Sequence, residues 1–116
     1  MPEGEESMKA YVVFLVLDQR PEKAIEEMCK WYKVSKPKLG VGVVEGRTKG
    51  VAAVYSRGRR EILAAKREFL YDPFVIVHEF YHHLRYVGAK HRGTERQADA
   101  FAMGFIAAYR KAYGFA

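Results

Sequence analysis

The final third of this chain is punctuated so closely that two helices joined by a short turn are nearly its only option. Asp72 is a good N-cap, Pro73 suits the first helical position and Gly88 supplies a stop, which predicts a helix from 73 to about 87. A second start follows, because Thr94-Glu95-Arg96-Gln97 has the form of a capping box. Apolar residues then recur at Ala98, Phe101, Ala102, Phe105 and Tyr109, so the second helix runs to about Tyr113 and is closed by Gly114.

Upstream the pattern changes. Residues 1–8 are polar and unpatterned and read as a loose end. Residues 10–17 are rich in Val and aromatics, which favours a buried strand, with a short helix as the open alternative. Pro21 opens a helical pattern carrying Ile25, Met28, Cys29 and Tyr32 at i, i+3, i+4 and i+7. Two Val-rich runs, 39–44 and 51–55, flank a Gly-containing turn at 45–50, and a third run, 61–65, follows the turn at 56–60. Short β-branched runs divided in this way read as consecutive hairpins. Residues 67–71 either extend the third strand or lead out of it. The expected fold class is therefore α+β, a small β-meander of about three strands packed on the 73–87 helix and on a C-terminal helix. At 116 residues there is room for one domain, 1–116, with a single core.

Composition narrows the class further. Hydrophobic residues at 49% with 29% charged residues fit a globular chain rather than a disordered one. One cysteine excludes an intramolecular disulfide framework, and Cys29 sits on an apolar stripe where a buried thiol behaves as a small hydrophobe. The run 11–17 is too short to span a bilayer and lacks a cleavage site, so the expected location is cytoplasmic with no membrane partner. The net charge is +6, with basic residues bunched at Arg57, Arg59 and Arg60 and again at 90–92. These read as turns in a Lys/Arg-rich surface rather than as a nucleic-acid footprint. Asn is absent and Gln occurs only at 19 and 97, a scarcity of thermolabile amides that points to a thermophilic source.

The chemistry lies in the first of the two C-terminal helices, which contains His78-Glu79-Phe80-Tyr81-His82. Two His residues four apart project from one helical face, so both imidazoles can reach a single Zn2+. Glu79, beside the first ligand, is placed to hold a water on the metal and act as its general base. A catalytic zinc needs a third protein ligand, for which His91 and Glu95 are candidates. Glu95 opens the next helix and Asp99 lies one turn further on the same face, where a carboxylate can accept the outer N–H of a ligand His. A ligand and its support at i, i+4 account for both residues, whereas His91 accounts only for itself. Arg85 and Gly88 stand where a metzincin needs Gly and His, which excludes that family. A structural zinc is disfavoured, since such sites are closed by four ligands, usually with Cys. His83 is rotated away from the two ligands and reads as structural or surface.

His78-Glu79-x-x-His82 followed by Glu95-x-x-Ala98-Asp99-x-x-Ala102 resembles the gluzincin clan of zinc metalloproteases. The small size and the strands before the active helix are most similar to the minigluzincins, soluble proteases related to the catalytic core of membrane-bound prenyl-protein endopeptidases. The resemblance is specific over 73–109 and only architectural over 38–71. It implies a zincin-like fold, Zn2+ held by His78, His82 and Glu95, Asp99 supporting a ligand His, and hydrolysis of peptides or unfolded proteins with Glu79 as general base. It also implies that substrate lies along residues 61–65 as an added strand, and that a Tyr, His or Arg stabilises the oxyanion. Tyr81, Tyr86, His91, Tyr109, Arg110 and Tyr113 all qualify, and the choice among them stays open.

The alternatives are a metallopeptidase of the phage-repressor-cleaving type, which shares the Glu-x-x-Ala pattern, and a basic nucleic-acid-associated zinc module. Clustering of the basic residues on one face would favour the latter. The aromatic C-terminal end, residues 109–116, is expected to pack on the strands as core. Its alternative is a latent, zymogen-like form in which it fills the cleft or meets a second copy in a homodimer, a direction in which the resemblance also leans.

Overall fold

The computed structural model describes residues 4–42, 51–88 and 93–114. Its elements in chain order are α1 (Glu5–Leu17), α2 (Pro21–Tyr32), β1 (Lys38–Val41), β2 (Ala53–Ser56), β3 (Glu61–Ala64), a 3-10 turn (Arg67–Tyr71), α3 (Pro73–Gly88) and α4 (Glu95–Ala112). This is an α+β molecule with four helices and a three-stranded mixed sheet.

The strand expected at 10–17 is instead the body of α1, and the second half of the expected loose end, from Glu5 onward, belongs to the same helix. The reason is burial. Met8, Val12, Val13, Leu15 and Val16 are each no more than 1% exposed, and α1 packs along α2, α3 and α4. A helix enclosed on nearly every side loses the amphipathic period by which helices are recognised, so its β-branched run mimics a buried strand. Glu5 and Glu6 in the first turn complement the helix dipole, and Glu5 lies 3.7 Å from Lys9 one turn on.

The sheet is not a meander. Its order is β1-β3-β2, with β2 antiparallel and β1 parallel to β3. Val41 at the end of β1 and Ala53 at the start of β2 both stand beside Ala64, so β3 is interposed between the two runs expected to form a hairpin. The turn expected at 45–50 falls outside the described residues, as does the end of the first run. Ile62, Leu63 and Ala64 are successively buried while β1 alternates little and stays largely accessible. A strand apolar on both faces takes the centre of a sheet, and that preference overrides the hairpin.

The two C-terminal helices form as their punctuation requires. Asp72 Oδ1 accepts from the backbone N–H groups of Phe74 and Val75 at 3.0 and 3.3 Å. The Gln97 N–H donates to Thr94 Oγ1 at 3.0 Å, and the Thr94 N–H donates to Gln97 Oε1 at 2.9 Å, completing the capping box. Phe80, Ile76 and Val77 of α3 and Phe105 and Ala102 of α4 bury their stripes in one core with α1, Ile62 and Leu70. Among the described residues no helix is long and apolar enough to cross a membrane.

Candidate metal centre

α3 places His78 and His82 one turn apart, with ring centroids 5.2 Å from each other. α4 returns alongside α3, bringing Glu95 to His82 and Asp99 to His78. His78 Nε2 lies 3.0 Å from Glu95 Oε1, and His82 Nε2 lies 2.7 Å from Glu95 Oε2. One ligand atom from each of His78, His82 and Glu95 falls within 4.8 Å of the others, a spacing that could hold a metal ion. The histidine side chains are mostly enclosed, at 12% and 21% exposure, whereas Glu95 is 77% exposed. The cluster is thus anchored in the core boundary on one side and faces solvent on the other.

The unmet bonding at the histidines supports a cation. His82 Nε2 and His78 Nδ1 are buried without a well-aligned hydrogen bond, although carboxylate oxygens approach them at 2.7 and 2.9 Å. His82 Nε2 is thereby one of the ligand atoms that lie within 4.8 Å of each other among the three side chains. Burial also pushes His82 below its ordinary pKa, against the opposing pull of Glu95, which favours the neutral ring a metal requires. Two imidazoles and one carboxylate form a donor set suited to a borderline divalent ion. Asp99 Oδ1 faces His78 Nδ1, the ring nitrogen turned away from Glu95. Phe74, one turn before His78, stands against its ring with centroids 5.9 Å apart and helps fix its plane.

Glu79 is buried at 8% exposure, with Oε2 3.8 Å from His78 Nε2. His83 has a different role from its neighbour. It is fully buried, its Nε2 lies 2.7 Å from the Ser35 carbonyl, and its Nδ1 lies 2.7 Å from the Tyr55 hydroxyl. Because a carbonyl only accepts, Nε2 carries the proton and Nδ1 accepts from Tyr55 in the neutral ring. Cys29 is buried on α2, where burial pushes its thiol up to about 11, and its Sγ lies 3.7 Å from the Ser35 carbonyl. It is not part of the metal cluster.

The other candidates separate by distance. Tyr109, Arg110 and Tyr113 lie at the far end of α4, about 20 Å or more along its axis from Glu95, and the Tyr113 ring stacks on Phe14 of α1. They are removed from the site, and residues 109–114 do not fill the cleft of their own chain. They pack on α1 rather than on the strands. His91 falls outside the described residues. Tyr81 and Tyr86 remain near the cluster. The Tyr81 ring is 5.9 Å from that of His82, and its hydroxyl donates to Gln97 Oε1 at 3.4 Å. A Cβ on Gly93 would strike the Tyr81 ring. The backbone at Gly93, just before α4, therefore passes against the Tyr81 ring as only a glycine can, a role no sequence motif signalled.

The strand at 61–65 cannot take an added peptide strand, because β3 is already paired on both edges. Comparison of the chain with protein families, with curated proteins and with solved structures returned no match.

Proposed function

We propose that this protein is a zinc-dependent endopeptidase of gluzincin type, similar in organisation to the minigluzincins. The observation that carries the reading is the convergence of His78, His82 and Glu95 within 4.8 Å beside the buried carboxylate of Glu79. Zn2+ suits two imidazoles and a carboxylate, and when bound it supplies Lewis acidity to a carbonyl and acidity to a water.

The chain's own residues account for the remaining steps. Asp99 Oδ1, 2.9 Å from His78 Nδ1, is placed to accept an N–H from that nitrogen when Nε2 gives its lone pair to a metal, which would fix the tautomer and raise the ring's basicity. Glu79 accepts the proton of the attacking water and delivers it to the leaving amine. Its enclosure keeps that proton from exchanging with bulk solvent during the step. Tyr81 or Tyr86 can donate to the developing oxyanion. Substrate is held by the outer edge of β2. The bond from the Ala65 N–H to the Ala52 carbonyl sets residues 52, 54 and 56 in hydrogen-bonded pairs with β3, so Ala53 and Tyr55 direct their backbone groups away from it. An extended peptide can pair there beside α3.

The test is hydrolysis of an unstructured protein by the zinc-loaded chain and by Glu79→Gln. The amide cannot accept a proton, so the variant should keep zinc and fold while losing on the order of 100-fold or more of the turnover. Undiminished turnover in Glu79→Gln would remove the mechanism.

A further inference from the structure

The helical face that carries the cluster continues beyond it. Glu79, His82 and Tyr86 stand at i, i+3 and i+7 of α3, so Tyr86 extends the same stripe toward the end of the helix. Tyr86 is 44% exposed. The Arg60 guanidinium stands over the Tyr86 ring, 5.8 Å from its centroid, and Tyr55 of β2 lies 6.3 Å away. Arg60 closes the exposed turn Arg57-Gly58-Arg59-Arg60 between β2 and β3, held with φ at 50° in the left-handed region.

The same end of the sheet gathers more positive charge. β1 starts beside β3, with Lys38 paired to Glu61 and the Lys38 N–H donating to the Arg60 carbonyl. Lys36 precedes it, and both lysines are exposed. Nearby acids compensate little. Glu61, mostly enclosed, lies 3.8 Å from Arg59 Nη1, and Glu26, which also feels Lys36, is shared between Lys23 and Lys30. The outer edge of β2 leads from beside α3 directly into this arginine turn.

We infer, resting on the peptidase reading, that the site selects acidic polypeptide: carboxylates on one side of the scissile bond seat on Arg57, Arg59 and Arg60, past Tyr86. The occupant is polypeptide rather than nucleic acid for two reasons. The patch is continuous with an open strand edge that pairs with extended chain. Arg60 and Tyr55 already crowd the ring of Tyr86, which leaves a poor platform for stacked bases.

The test uses the zinc-loaded 116-residue chain and fluorescence anisotropy, with a glutamate-rich peptide, its glutamine-for-glutamate counterpart and a single-stranded oligothymidylate as probes. The glutamate peptide should bind about tenfold more tightly than the glutamine peptide, with the advantage fading as salt rises. The Arg57→Glu/Arg59→Glu double variant, checked for fold by circular dichroism, should lose that preference. In parallel, wild-type protein should cut an unstructured substrate preferentially beside acidic clusters. Equal binding of the two peptides, or equal cutting with and without acidic clusters, overturns the inference and leaves the peptidase reading standing. Tighter binding of the oligothymidylate, lost in the double variant, overturns it in favour of a nucleic-acid surface. Absence of hydrolysis of every substrate removes the peptidase reading and the inference with it.

Discussion

His82 and His83 are adjacent in sequence and opposite in function. A rotation of roughly 100° per residue turns one toward Glu95 and the other into the core. Two expected outcomes follow from that division. Asp99→Ala leaves the candidate ligands in place but removes the carboxylate beside His78 Nδ1, so zinc affinity should fall about 10- to 100-fold with thermal stability of the metal-free protein nearly unchanged. A competition titration against a chromophoric chelator reads this directly. His83 is held neutral by burial, with its pKa lowered from 6.5. Since the unfolded ring takes up a proton that the folded ring resists, the stability His83 contributes is present above pH 6.5 and declines as pH falls below it. Metal-free protein should therefore lose melting temperature on acidification below that value. His83→Phe should flatten this dependence while costing about 1–3 kcal/mol at neutral pH, because the Ser35 carbonyl keeps only the weak Cys29 thiol donor and the Tyr55 hydroxyl loses its acceptor. A pH dependence identical in the variant would assign the titration elsewhere.

At the scale of elements, α3 and α4 were legible because their signals are local. A cap, a proline, a capping box and a glycine each act within one turn, and Asp72, Pro73, Thr94 and Gln97 act as their types require. Asp72→Ala should accordingly cost about 0.5–2 kcal/mol in a denaturant titration. The spacing of His78, His82, Glu95 and Asp99 was legible for the same reason, since helical period alone fixes which residues share a face. The identity of α1 and the order of the sheet are set by tertiary neighbours instead. Val12, Val13 and Val16 have strand propensity, yet three surrounding helices decide the outcome. No short-range signal states that β3 will separate β1 from β2, because that depends on where a fully apolar strand finds cover on both faces. Leu15→Ala tests the placement of α1, with an expected cost of about 2–5 kcal/mol for a residue wholly enclosed. A cost near zero would place residue 15 on the surface.

At the scale of the molecule, α4 ties the candidate metal-binding cluster at its start to α1 near its end. Tyr113 stacks on Phe14 at 6.4 Å and meets the tilted ring of Tyr109 at 4.6 Å, so the described part of the tail acts as a brace on α1. Truncation after Arg110 should lower the melting temperature modestly and leave zinc content and peptidase rate per folded molecule unchanged. The central claim, that α3 and α4 together make a three-ligand zinc site, is tested most directly by the metal content of purified protein beside single variants of each ligand. Wild-type protein should hold about one zinc per chain, and His78→Ala, His82→Ala and Glu95→Ala should each release most of it while remaining folded. A folded Glu95→Ala protein that retains its zinc, with His91→Ala losing it, would contradict the account.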